Sequence, residues 1–225
     1  MKSKLKQLLN ILDIKRIPFR EDINGLRAIA VMSVVFYHAD FEIFQGGWLG
    51  VDIFFVISGY LISNIIISEL NQETFSFKKF YLRRINRILP ALLSVLVLTI
   101  PFAYWLLLPQ QMLEYSNSLL SSVFFYSNYY FQNLDFYNSA PAKYMPLLHT
   151  WSLSIEEQYY LLFPVLAFTF HKYFRKYFAH FIALLLLISI LLNGLISDDN
   201  KFYGIQFRLW ELLLGVLIMV VASNL

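Results

Sequence analysis

The sequence contains no cysteine, which excludes disulfides, iron–sulfur clusters and thiolate catalysis and leaves the compartment unreadable from redox chemistry. Charge is scarce as well. Only 15% of the 225 residues are charged and 58% are hydrophobic, whereas a soluble globular protein carries about a quarter charged residues. With a mean hydropathy of +0.57, such a chain cannot cover its surface with polar side chains. The formal net charge is only +3, so nothing calls for nucleic acid as a partner. Internal repeats and low-complexity segments are also lacking. A cleaved signal peptide fits poorly, because the first apolar stretch outruns a short h-region and offers no small-residue cleavage site.

What is present is apolar run length. A helix crossing a bilayer core needs about 20 apolar residues. Spans are expected at about 24–41, with Asp22 or Asn24 as N-cap, and at about 50–70, after the Gly46-Gly47 turn. Further spans fall at 88–108, ending at Pro109, at 147–170, at 178–196 and at 205–222. Residues 112–131 are apolar but rich in Ser, Asn and Tyr. They suit a poor span, an interfacial helix or a re-entrant segment.

The placement of charge orients these spans. Met1 to Arg20 holds Lys2, Lys4, Lys6, Lys15, Arg16 and Arg20 against a single Asp13, so this segment is expected in the cytoplasm. Lys78, Lys79, Arg83, Arg84 and Arg87 then fall inside after two crossings. Lys172, Arg175 and Lys176 fall inside only if an even number of crossings separates them from Arg87. That condition excludes a full crossing at 112–131 and places the acidic turn at 198–200 outside. The expected architecture is an all-α polytopic membrane protein with about six full spans and one partial or re-entrant segment. Residues 1–20 form its basic cytoplasmic N-terminus and 21–225 its transmembrane domain. The chain stops at Leu225 directly after an apolar helix, without a polar tail, and reads as incomplete at the C-terminus.

Ionisable groups inside spans are costly and usually mark function. Arg27 and His38 lie eleven residues apart, close to three helical turns, so they share a face roughly 16 Å apart along the axis. His38 suits general-base work, since its ordinary pKa lies near neutrality; a structural interhelical hydrogen bond, with Arg27 snorkelling to headgroups, is the plainer reading. Asp52 opens the second span at the level expected for His38 and could orient its imidazole, or act only as an interfacial cap. Arg84 and Arg87, three apart, share a face and suit a phosphate or pyrophosphate, or serve only to fix topology. Glu156-Glu157 is too polar for lipid and calls for a cavity, a protein partner or an interface. Arg208 and Glu211 read as a structural ion pair. No metal is expected.

The blocks FREDINGLRAIAVMSVVFYH, GGWLGVDIFFVISGYLI, FYLRRINRILP, HTWSLSIEEQYYL and FRLWELLLGVLI, in that order, resemble the signatures of the membrane acyltransferase-3 family. These are O-acetyltransferases of lipopolysaccharide O-antigen, peptidoglycan and other exported glycans. The resemblance covers about residues 20–222, the N-terminal two-thirds of the family domain. It implies that Arg27 and His38 form the family's Arg-x10-His element, with His38 catalytic. It implies that Arg84 and Arg87 form the Arg-x-x-Arg element that meets the acyl-CoA donor, and it places Asp52 and Glu156 in the family's Gly-Val-Asp and Trp-Ser-Leu blocks; Asp52 or Glu156 would then orient His38. The expected protein is thus a multi-pass bacterial inner-membrane enzyme with a cytoplasmic N-terminus. It would move an acyl group, acetyl above all, from acyl-CoA to a glycan or lipid-linked saccharide. A polytopic transporter and an inactive truncated fragment are the alternative classes.

Overall fold

A computed structural model describes residues 21–134, 141–196 and 199–223. The basic segment 1–20 lies outside the described residues, as does Asp198 of the acidic turn. The chain divides into two compact units, Met1–Gly50 and Val51–Leu225.

In the first unit, α1 spans Glu21–His38. The expected caps Asp22 and Asn24 therefore lie inside its first turn. After α1 a turn through Asp40, with φ 57°, leads to a short 3-10 helix at Glu42–Phe44. Phe36 meets Phe41 and Phe44 at centroid distances of 5.2 and 4.8 Å, which folds the chain back against the end of α1.

In the second unit, α2 (Leu49–Asn71) leads into α3 (Phe77–Leu106). Two shorter helices follow, α4 (Pro109–Val123) and α5 (Ser127–Gln132). Then come α6 (Thr150–Tyr173), α7 (Phe178–Leu195) and α8 (Ile205–Ser223). Among the described residues there is no strand. Four helical stretches among the described residues are long and apolar enough to cross a membrane: Leu49–Asn71, Phe77–Leu106, Arg175–Leu195 and Ile205–Ala222. Six spans were expected. α1 and α6 fall outside this set because Glu21, Asp22 and Arg27 dilute the first, and Glu156, Glu157 and Lys172 the second.

Two boundaries differ from the expected ones for physical reasons. Helix α3 begins at Phe77 and takes in the basic cluster, passing through Pro90 and Pro101 without ending. Pro109, expected to end a span, starts α4 instead, where its missing N–H costs nothing. The Gln111 side chain reaches back to accept from the Leu108 N–H at 2.9 Å.

Residues 112–131 are not one helix. The chain breaks at Phe124–Tyr126, with Phe125 at φ 55°, and α5 returns beside α4, the Tyr130 hydroxyl donating to the Glu114 carbonyl at 3.2 Å. Helix α6 holds this turn through a seam of buried and partly buried polar groups. Ser122 bonds Thr150 at 2.7 Å, Thr150 donates to Ser127 at 3.0 Å, and Ser127 bonds Ser154 at 2.8 Å. Gln158 donates to the Phe125 carbonyl and to Asn128 Oδ1, both at 2.8 Å. A fully buried carbonyl without a partner costs about 1–3 kcal/mol, and the part-buried Phe125 carbonyl avoids a share of that cost. The Ser and Asn content that makes 112–131 a poor lipid-facing helix is what stitches it to α6.

Residue pairs fix the chain directions. Asp52 lies against Arg208, and Val56 and Tyr60 lie against Gly215, so α2 and α8 run the same way. Phe55 meets Trp151 with ring centroids 6.1 Å apart, and Asn71 meets His171 at 3.1 Å, so α6 runs with them. Helix α7 runs opposite to α8. Its Ser189 hydroxyl donates to the Gln206 carbonyl at 2.7 Å and accepts from the Trp210 N–H at 3.1 Å. The hydroxyl is thereby inserted between two groups that an uninterrupted helix would bond to each other.

The main core gathers Phe55, Ile62, Phe80, Ile155, Leu212 and Val216. At its centre α2 and α8 approach backbone to backbone. A Cβ on Gly59 would strike the Leu212 carbonyl, and one on Gly215 would strike the Val56 carbonyl and lie 2.6 Å from the Tyr60 nitrogen. Small residues of this kind let helices pack closely where lipid supplies no hydrophobic drive. Gly59→Ala and Gly215→Ala should each lower unfolding stability in detergent by about 1–3 kcal/mol. Gly25→Ala, where a Cβ meets nothing within 4 Å, is the control. Equal midpoints for all three variants would show that the close approach does not matter.

Candidate functional site

Two charged clusters lie within the second unit, both anchored on α2. The first forms around Arg208 on α8. Its Nη2 donates to Asp52 Oδ1 in the first turn of α2, and its Nη1 lies 3.2 Å from Glu211 Oε1 one turn further along α8. Aromatic rings cover the guanidinium. Its carbon lies 4.9 Å from the Phe202 ring centroid and 5.8 Å from those of Phe55 and Trp151. The Arg208 side chain is 7% exposed, that of Glu211 0% and that of Asp52 18%. Two carboxylates thus share one guanidinium in an enclosure of aromatic faces. Asp52, at its rim, keeps the most access.

The pair Arg208–Glu211 was legible three residues apart, and it forms as expected. The partnership with Asp52 was not. It joins positions 156 residues apart, and no local pattern links two such charges. The one signal available was that three ionisable residues within apolar blocks must find partners among themselves.

The second cluster centres on Arg84 of α3. Its guanidinium carbon lies 5.7 Å from the Phe80 ring centroid and 5.8 Å from that of Tyr160. The Arg84 Nε is buried without a hydrogen-bond partner. Glu157 on α6 supplies the nearby negative charge, and Ser58 of α2 faces the Tyr160 hydroxyl. Glu156 is buried in the same wall of α6. Ser58 follows Asp52 by six residues, so the two clusters stand about 9 Å apart along α2.

The basic trio of α3 separates into three environments. Arg83 donates to Glu69 at 2.8 Å, Arg84 is stacked inward, and Arg87 is exposed. Arg84 and Arg87 therefore share a helix face at different depths. Of the other expected residues, Arg27 is half-buried midway along α1, and His38 is exposed at its C-terminal end. Both belong to the first unit. Tyr160, Trp151 and Phe202 were not singled out from sequence, since aromatic residues make up 18% of the chain and carry no individual signal. No group of three or more His, Asp or Glu side chains that could hold a metal ion occurs among the described residues.

Comparison with known proteins decides the family. The acyltransferase-3 model, an acyltransferase domain, matches residues 20–221. The chain belongs to the acyltransferase-3 family. It is 35% identical over 205 residues to O-acetyltransferase OatA of Staphylococcus aureus strain NCTC 8325 / PS 47, covering 87% of this chain and 34% of that protein. A putative O-acetyltransferase of S. aureus strain MSSA476 is 35% identical over 212 residues, covering 91% of this chain and 35% of that protein. The chain thus spans about a third of the length of the curated relatives it matches. No solved structure matches.

The Arg208 cluster makes a stability prediction. Removing the cation leaves the enclosed Glu211 carboxylate and the partly covered Asp52 without their shared partner, and an uncompensated buried charge costs about 3–5 kcal/mol. Arg208→Gln should therefore lower the unfolding midpoint in detergent strongly. The triple variant Asp52→Asn, Arg208→Gln, Glu211→Gln should recover most of that loss. A single variant as stable as the parent would mean that the charges are not coupled.

Proposed function

We propose that the chain is the membrane part of an O-acyltransferase that moves an acyl group from acyl-CoA to a cell-surface carbohydrate. The observation that carries this reading is the family membership of a lipid-solvated bundle that buries two arginine-centred clusters on one helix. The relatives named O-acetyltransferases support acetyl as the group. In this reading Arg84 and Arg87 hold the donor's phosphates at the cytoplasmic mouth of α3. The thioester arm extends past Arg27 toward His38. His38 takes the proton of the acceptor hydroxyl, or carries the acyl group transiently; Asp52 or Glu156 orients it. As base, His38 raises the nucleophilicity of the hydroxyl oxygen, which attacks the thioester carbonyl and displaces the thiol of coenzyme A.

The proposed setting is a bacterial inner membrane with the N-terminus in the cytoplasm and six crossings at α1, α2, α3, α6, α7 and α8. Parallel α2, α6 and α8 support this count. With α3 alone crossing between α2 and α6, α4 and α5 must return to the side they left, as a re-entrant pair. Polar backbone and side chains at that depth are tolerated where protein covers them, and α6 covers them here.

Membranes carrying this domain in its full-length context should transfer label from acetyl-CoA to a glycan. His38→Ala should abolish that transfer with normal insertion. Arg84→Lys with Arg87→Lys keeps the charge but loses the planar fork, and should raise the apparent KM for acetyl-CoA. Coupled solute uptake without label transfer would identify a transporter and sink the enzyme reading.

The topology has its own test, because the chain has no cysteine. Single cysteines at positions 143 and 172, probed with an impermeant thiol reagent, should be labelled from outside at 143 and protected at 172. The reverse pattern would refute the re-entrant pair.

A further inference from the structure

Arg84 and Glu157 lie where α3 passes α6. Phe77 meets Phe168 with ring centroids 5.5 Å apart, and the Tyr81 hydroxyl donates to the Leu161 carbonyl at 2.9 Å. Contacts that advance along α3 thus retreat along α6, so the two helices run in opposite directions. Arg84 stands one turn beyond Tyr81 and Glu157 one turn before Leu161, which sets the two on the facing sides. Of the two adjacent glutamates, Glu157 is the one whose charge acts on Arg84.

The two attract each other without forming an ion pair. Among the described residues no carboxylate meets the Arg84 guanidinium and it donates no hydrogen bond; the rings of Phe80 and Tyr160 hold it instead. Its buried unpartnered atom is Nε, and that of Glu157 is Oε1. Both side chains are only half-buried, so the fork of Arg84 and the second oxygen of Glu157 are what each still presents. Arg83 does not compete for Glu157, being paired with Glu69 at 2.8 Å. Arg87, exposed one turn further along α3, adds a second positive charge. A guanidinium fork therefore stands beside an open carboxylate oxygen within a span, where ionisable groups are costly and usually mark function.

A carboxylate beside a phosphate-binding arginine is selective. It repels a bare phosphate, and the repulsion is offset only when the ligand brings an O–H or N–H next to its phosphates. Coenzyme A does so, because the hydroxyl and first amide N–H of its pantetheine arm follow directly on the diphosphate. We infer that Glu157 is a donor-binding residue, its open oxygen accepting a hydrogen bond from the hydroxyl or amide N–H behind the diphosphate of acyl-CoA. The inference rests on the acyl-CoA reading above and adds which part of the donor is recognised beyond its phosphates.

Displacement of labelled coenzyme A from membranes carrying the full-length protein tests it, with unlabelled coenzyme A and inorganic pyrophosphate as competitors. Glu157→Gln keeps the shape of the side chain but replaces a charge-assisted hydrogen bond by a neutral one. It should weaken coenzyme A binding about tenfold. The same variant should bind pyrophosphate severalfold more tightly, because the repelling charge is gone. A loosened helix pair would weaken both ligands alike, so opposite shifts mark a direct contact. Unchanged binding of either ligand, or parallel weakening of both, would overturn the role of Glu157 and leave the donor reading standing. Parent membranes that hold no more coenzyme A than membranes lacking the protein would overturn both.

Discussion

Helices in lipid gain little from packing leucine against leucine, because the tails outside are as apolar as the core. Association then depends on close backbone approach and on polar groups that have nowhere else to go. Both meet where α2 passes α8. Gly59 and Gly215 remove the side chains that would hold the two axes apart. That approach lets Arg208 reach Asp52 without leaving its cover of aromatic rings. The same parallel pairing sets the direction of α8, and through Trp151 the position of the head of α6.

The α4–α5 turn follows the same rule in hydroxyls instead of charges. Serine side chains in helices often bond back to their own carbonyls, as Ser118 does to Tyr115 at 2.7 Å. Ser122 and Ser127 go further and bond to α6. Such bonds average well under 2 kcal/mol each in membrane proteins. Several in a row nevertheless select one register, since a shift by one residue would leave every hydroxyl unmatched. Gln158 then closes the seam over the Phe125 carbonyl of the turn.

Much of this architecture was legible in the sequence because apolar run length and charge position act locally. The helices near 50–70, 178–196 and 205–222 fall where run length puts them, within a residue or two. The break inside 112–131 was legible as polarity but not as a position, because Phe125 has no turn-forming chemistry of its own and is held by Gln158, 33 residues away. The start of α3 was misplaced for a different reason. A basic cluster reads as a loop when helices are judged by hydropathy, yet Lys and Arg are good helix formers and extend α3 back to Phe77. At the sites, the residue types were legible and their partners were not. Arg84 stood out as a guanidinium near a span, but Tyr160 and Glu157 reach it from α6, more than 70 positions later.

The pairing of Asp52 with Arg208 bears on what Asp52 can do in the proposed reaction. An ionised carboxylate has two oxygens and about four lone-pair sites. Arg208 donates to Oδ1, which fixes the plane of the group while leaving Oδ2 for a second donor. The Asp52 side chain keeps 18% of its surface, so that second donor can approach from outside the cluster. An orienting carboxylate works best when its own rotamer is locked by a neighbour, and Arg208 supplies that lock from α8. Glu211, fully enclosed behind it, holds the guanidinium in turn. The charge order Glu211, Arg208, Asp52 therefore runs from the buried interior toward the accessible end of α2, and leaves the one carboxylate suited to a mobile partner at the rim.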